Sequence, residues 1–195
     1  MRVLWVCNIM LPVIAEALHR EASNKEGWLS GLLSQVVARE DTDMTLAVAF
    51  PAPADAEAPW RLHVPVPRTN PCATDEYNIT CYGFREDTVH PDRYQPELEE
   101  ELRKITEDYD PDRILLGTQG ICSLCAEAYF ADLPERVTRK VTFRDLVKRD
   151  SLRSQQEKFA RRGVMEREAI GLAGNITGRT AWDREVTTGW NPAAQ

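Results

Sequence analysis

The six residues from Arg2 to Cys7, RVLWVC, constrain the fold more than any other stretch of the chain. They are a short β-branched and aromatic run without polar alternation, the pattern of a strand covered on both faces inside a parallel sheet. A polar loop with Asn8 and Pro12 follows. Leu29, Leu32, Leu33, Val36 and Val37 then recur at helical spacing, so Gly27 to Arg39 is predicted to be an amphipathic helix packed on that sheet. Thr45 to Phe50 reads as the next strand, closing a β-α-β unit whose crossover should be right-handed. Leu62, Val64 and Val66 alternate, but Pro65 and Pro67 lack ladder donors and assign that run to a sheet edge.

Further along, Arg68 to Pro96 holds Asn, Pro, Gly and scattered aromatics without a sustained period and is predicted to be a long surface excursion. Leu98, Leu102, Ile105 and Tyr109 fit a helix that Asp110-Pro111 should end. Arg113 to Gly117 is the next predicted strand, followed by Thr118-Gln119-Gly120 and a helix from about Cys122. A long polar helix is expected from about Ser151 to Leu172, then a short strand at Asn175 to Thr177 and a last helix. Such alternation gives an α/β class with a Rossmann-like or flavodoxin-like doubly wound, mostly parallel sheet and flanking helices. Ligands of these sheets sit beyond the carboxyl ends of the strands, which directs attention to the loops after Cys7, Phe50 and Gly117 and to the turn at Gly178.

A length of 195 residues with 43% apolar content suits one sizeable core, so residues 1–195 are expected to form a single domain. The first residues read as a strand rather than a leader, and no apolar run reaches bilayer length, so a cytoplasmic location is expected. On that footing the Asn-x-Thr triplets at Asn78 and Asn175 carry little weight. Five cysteines without two CxxC units describe neither a disulfide framework nor a metal site. A net charge of −7 argues against a nucleic-acid partner, whose binding draws on Lys and Arg. The charge is uneven, however. Arg136 to Arg167 carries eleven Lys or Arg against four Asp or Glu, a surplus that suits either a solvated helical face or an anionic partner such as a membrane surface.

Asn24-Lys25-Glu26-Gly27-Trp28-Leu29-Ser30-Gly31 opens the first long helix. Glycine there permits close backbone approach, and the free N–H groups of the first turn favour a phosphate or a sugar hydroxyl; a plain helix entry anchored by Trp28 explains the same residues. The segments VLWVCNIMLPVIAE, SNKEGWLSGL, YGF at Tyr82 to Phe84, TQGICS at Thr118 to Ser123 and GRTAWDR at Gly178 to Arg184 occur in one order over nearly the whole chain. Together they resemble the N-terminal domain of a family-four-like glycosyltransferase of the GT-B fold. That resemblance implies one half of a two-domain enzyme, with the acceptor bound here and a nucleotide-sugar donor bound mainly by a second Rossmann-like half. It implies no cofactor, a retaining hexosyl transfer, and a sugar or lipid-linked acceptor; the Arg136 to Arg167 surplus leaves a peripheral place at the inner membrane face open. Carried over by position, Asn8, Glu16, Gly27, Tyr82, Arg85, Gln119, Gly120 and Arg179 would form the substrate-binding wall.

The chain departs from that family in three places. Glu26 stands where the family has the first glycine of a pair, and a carboxylate there would repel a donor phosphate. Asp110-Pro111-Asp112 joins two elements between which the family usually has a further βα unit, so an exposed apolar edge, a rearranged sheet or self-association is expected. The chain also ends at Gln195, where the family's second domain would begin. No general base is assigned, since His19, His63 and His90 have no carboxylate at obvious spacing. Thr180 and Asp183 have a structural role open to them as a capping box. Two other readings stand beside the transferase: a binding-only domain for a glycan, lipid-linked acceptor or membrane surface, and thiol redox chemistry at Cys122-Ser-Leu-Cys125, which follows a strand and opens a helix.

Overall fold

The computed structural model describes residues 1–22, 27–37, 43–53, 61–67, 76–87, 94–117, 137–141, 156–178 and 180–195. The chain order is β1 (Arg2–Val6), α1 (Pro12–Ala17), α2 (Gly27–Val37), β2 (Thr45–Pro51), β3 (Arg61–Pro67), β4 (Glu76–Phe84), α3 (Pro96–Tyr109), β5 (Arg113–Gly117), β6 (Val137–Val141), α4 (Gln156–Leu172), β7 (Asn175–Gly178) and α5 (Ala181–Trp190). One seven-stranded sheet runs in the order β3-β4-β2-β1-β5-β6-β7, parallel throughout except for β3. This is the expected Rossmann-like, doubly wound α/β sheet.

β1 sits near the middle and feeds two cores. Leu4 and Val6 join Ala47, Ala49, Tyr82 and Phe84 beneath Leu98, Leu102, Ile105 and Tyr109 of α3. Val3, Trp5 and Cys7 face the other way, toward Leu11 and Ile14 of α1 and Leu29, Leu33 and Val37 of α2. Period-two alternation thus divides one apolar run between opposite faces, and burial of each large side chain contributes about 1.5–3 kcal/mol. The helices obey the same logic. From β1 the chain reaches β2 over the face that carries α1 and α2, and from β4 it returns to β5 over the face that carries α3. Opposite directions on opposite faces are what a constant right-handed crossover produces.

One predicted excursion is a strand. Glu76–Phe84 lies inside the sheet between β2 and β3, parallel to the first and antiparallel to the second. Its alternation is short: Ile79 and Cys81 enter one core and Asn78 is exposed, and then Tyr82 and Phe84 enter the other core. Glu76, Asn78 and Thr80 alternate with Tyr77, Ile79 and Cys81, but the beat ends at Tyr82-Gly83-Phe84 and is too short to stand out in a stretch rich in Asn, Pro and Gly. β3 is the edge strand its prolines demanded, pairing Pro65 with Asn78 and Pro67 with Glu76. Val137–Val141, within the segment read as basic helices, is a strand between β5 and β7. The Arg136–Arg167 surplus is therefore not one continuous helical surface. Among the described residues no helix is long and apolar enough to cross a membrane.

The Asp110–Asp112 junction is a built turn. Asp110 caps α3 in the left-handed region at φ 48°, a conformation Asp tolerates better than most residues, and its N–H donates to the Thr106 carbonyl at 2.7 Å. Pro111 is buried. The Asp112 carboxylate then accepts from the Arg2 N–H at 2.8 Å, while the Asp112 N–H donates to the Arg2 carbonyl at 2.9 Å. The Arg2 guanidinium also donates to the Tyr109 carbonyl and lies 4.9 Å from the Tyr109 ring centroid. β5 enters beside β1 in regular register from Val3↔Arg113 to Val6↔Leu116, so the sheet is continuous across this junction.

Tyr82 is placed in this framework rather than in a cleft. It is 4% exposed, its ring stands edge-on to Tyr109 at 6.3 Å, and its hydroxyl donates to Asp108 at 2.6 Å. Asp108 in turn pairs with Arg61 at 3.1 Å. Burial first, and the bond to Asp108 second, push the Tyr82 phenol well above its ordinary ionisation range. Unfolded tyrosine ionises near pH 10, so above that pH the unfolded chain has lost a proton that the native chain keeps, and stability must fall as pH rises. Below about pH 10 the contribution is fully present. Denaturant titrations from pH 9 to 11.5 should show this decline in the parent chain and a shallower one in Tyr82→Phe; identical slopes would contradict the assignment.

Candidate functional site

All six parallel strands end on one edge, at Val6, Pro51, Phe84, Gly117, Val141 and Gly178. The strand order reverses between β1 and β5, since β1 leads to β2 on one side and β5 leads to β6 on the other. In open α/β sheets, ligands bind at the carboxyl end of such a reversal.

Asn8 stands just past the carboxyl end of β1, at this reversal. The Cys7 N–H donates to the Ala49 carbonyl at 2.8 Å, extending the β1–β2 ladder by one residue and setting Asn8 directly beyond it. Asn8 is half-buried and its Oδ1 is fully buried. Leu11, which is fully buried, and Pro12 at the first helical position then turn the chain into α1. Glu16 is exposed on that short helix. The helix closes in a Schellman arrangement, with the His19 N–H on the Glu16 carbonyl at 3.0 Å and the Arg20 N–H on the Ala15 carbonyl at 2.8 Å. His19 occupies the left-handed position of that motif at φ 54°, so its role is in the turn. Gly27 opens α2 as expected.

Arg85 is exposed at the same edge, one residue past β4, and its backbone is held firmly. The Arg85 N–H donates to the Glu101 carboxylate of α3 at 2.5 Å. Two residues on, Gln95 grips Asp87 from both sides, accepting its N–H at 2.8 Å and donating to its carbonyl at 3.1 Å. A further backbone bond, from the Ala52 N–H to the Phe84 carbonyl at 2.7 Å, ties the ends of β2 and β4 together. Gln95 and Glu101 escaped the sequence reading because a side chain that holds a loop backbone leaves no periodic mark.

The turn after β7 is built around Asp183. Thr180 and Asp183 form the predicted capping box, with bonds of 2.9 and 3.1 Å, and Asp183 is fully buried. A Cβ added to Gly178 would meet the Asp183 Cβ at 2.7 Å, so the glycine serves a close approach between backbone and cap. Asn191, buried at the far end of α5, donates to the Ile170 and Ala173 carbonyls at 2.8 Å each and so closes the end of α4. Of the residues proposed from sequence, the structure brings Asn8, Arg85 and the helix-opening Gly27 to this system of loops, leaves Glu16 exposed on α1, and buries Tyr82 beneath α3. Gln119, Gly120 and Arg179 lie outside the described residues, as do Cys122 and Cys125. Among the described residues no group of three or more His, Cys, Asp or Glu is placed to hold a metal ion. Of the described thiols, Cys7 and Cys81 are buried, and burial pushes the Cys81 thiol up to about 12.

No family model matches the chain, and no curated protein matches it. Among the solved structures similar to it, two match nearly all of its length. A UDP-GlcNAc 2-epimerase from Methanocaldococcus jannaschii is 11% identical, with a TM-score of 0.48, over 97% of this chain and 42% of its own. The trehalose-6-phosphate structure from E. coli bound with UDP-2-fluoro glucose is 11% identical, with a TM-score of 0.38, over 96% of this chain and 42% of its own. This chain spans less than half the length of either.

Two outcomes follow from these contacts. Gly178→Ala should destabilise the fold by about 1–3 kcal/mol in denaturant titration, because the cap must shift to admit the methyl group; an unchanged midpoint would show that the turn gives way freely. Cys81 should resist a thiol reagent at pH 8 in the native chain and react once denaturant is added, with mass spectrometry of the labelled peptide as the readout and rapid native labelling as the contrary result.

Proposed function

We propose that this chain is the acceptor-side half of a retaining glycosyltransferase of the GT-B type, working with a nucleotide-sugar donor held mainly by a second Rossmann-like half. The observation that carries the proposal is the reversal of strand order at β1 and β5, with half-buried Asn8 at the head of β1. The ordered series of segments from VLWVCNIMLPVIAE to GRTAWDR supports the same reading. In such a reaction the acceptor hydroxyl oxygen bonds to the anomeric carbon as the bond from that carbon to the diphosphate breaks. The hydroxyl proton leaves with the departing nucleoside diphosphate. Catalysis of this kind rests on positioning and on cations around the leaving group.

This half would supply the positioning. The Asn8 amide both donates and accepts, which suits sugar hydroxyls. Arg85 offers a charged donor fork on a loop whose backbone is already fixed by Glu101 and Gln95. Glu16, the N–H groups opening α2 at Gly27, and Gln119, Gly120 and Arg179 complete the proposed wall. Tyr82 is left out, since its hydroxyl is engaged by Asp108 in the core.

The test is calorimetric titration of the chain with a panel of p-nitrophenyl glycosides, and separately with UDP-glucose. At least one glycoside should bind, and Asn8→Ala and Arg85→Ala should each weaken it about tenfold, or about 1.4 kcal/mol. UDP-glucose should bind weakly or not at all, because most donor contacts are assigned to the other half. Glycoside binding indifferent to both substitutions would defeat the proposal.

A further inference from the structure

Between the outer edge of β7 and α5 runs a groove of about 670 Å³, a size suited to a small molecule. Ile176 offers it apolar contact, and Thr177, Thr180 and Thr188 give it hydroxyls. Among the described residues that line it, Arg184 alone is charged, although the chain as a whole carries 31 Asp or Glu against 24 Lys or Arg. The adjacent Asp183 carboxylate is taken up by the capping box, where it accepts from the Thr180 N–H at 2.9 Å and is fully buried.

The charge of Arg184 has nothing to answer it. The side chain is exposed and forms no ion pair among the described residues. It is also the fourth residue of α5, near the helix end where the dipole disfavours a cation. From the strand side, β7 turns backbone groups toward the same groove. The Gln195 carbonyl accepts from the Ile176 N–H at 3.0 Å, so Ile176 presents its polar groups outward. Alternate residues of a strand face the same side, so the Ile176 carbonyl and the Gly178 N–H form the next outward acceptor and donor.

We propose that this groove binds a small polyhydroxyl ligand by a single oxyanion, a phosphate monoester or a carboxylate, held by Arg184 and the Gly178 N–H. The guanidinium supplies a charged donor fork and the strand a neutral N–H, which together match the oxygens of one such group. A hydroxyl of the ligand donates to the Ile176 carbonyl, and the threonine hydroxyls serve as donors or acceptors for the rest. One cation with no second beside it selects a single oxyanion over a diphosphate. The site lies at the β7 edge, away from the reversal at β1 and β5, and does not rest on the sugar-transfer reading.

The experiment titrates the full chain with two matched pairs, glycerol 3-phosphate against glycerol and glucuronate against glucose, and follows the amide shifts. At least one of the two anions should move the Gly178 and Thr188 amides saturably while its neutral counterpart leaves them in place. Response to glycerol 3-phosphate alone identifies a phosphate site, response to glucuronate alone a carboxylate site, and response to both a site for either. Arg184→Gln should weaken that binding about tenfold, and Arg184→Lys, which keeps the charge, by less. No response to any of the four, a neutral compound binding as well as its anion, or anion binding undiminished in Arg184→Gln would overturn the proposal. Shifts at Asn8 and Arg85 with Gly178 and Thr188 silent would speak for the sugar-transfer reading and still overturn this one.

Discussion

Parallel pairing of β1 with both β2 and β5, under cover on both faces, is the constraint on which the rest depends. Only a strand apolar at every position from Val3 to Val6 can supply two cores at once. Once it does, right-handed crossovers send the chain out over one face and back over the other, and the point of reversal falls at β1 itself. The reversal at its carboxyl end is thus a consequence of burial and handedness, reached before any polar residue is considered.

The two edges of the sheet are built differently. At the amino edge Arg2, Asp112, Tyr109 and the Asp110 turn interlock through backbone and side-chain bonds, with the Tyr109 hydroxyl reaching the Thr45 carbonyl at 2.9 Å. Exposed ion pairs add little to this: Arg103 with Glu100 and Glu107 on α3 lies on a solvated surface, where salt and side-chain entropy offset the attraction. At the carboxyl edge the bonds instead hold loop backbones, through Glu101, Gln95 and the Thr180–Asp183 box, and leave Glu16 and Arg85 in solvent. Rigid support with outward polar side chains is the arrangement a binding wall requires.

Much of this was legible in the residues themselves. The β1 run, the α3 spacing of Leu98, Leu102, Ile105 and Tyr109, the prolines of β3 and the Thr180–Asp183 box each carry a local signature that the structure repeats. β4 was hidden because its polar alternation lasts only from Glu76 to Cys81 and lapses at Tyr82-Gly83-Phe84, and β6 because Arg139 and Lys140 give an interior strand the look of a basic helix. Tyr82 shows the same limit at the site. Its place in YGF suggested a cleft residue, while its partners Asp108 and Arg61 lie 26 residues later on α3 and on neighbouring β3. Long-range partners of that sort leave no trace in spacing.

The central claim is that the reversal at β1 and β5 forms one wall of a sugar-binding crevice. Its most direct test is a residue-resolved amide shift map of the chain titrated with a bound glycoside. The account predicts shifts concentrated at Asn8, Arg85 and the start of α2, with the amino edge around Arg2 and Asp112 silent. Shifts centred on the amino edge, or scattered without relation to the strand ends, would contradict it.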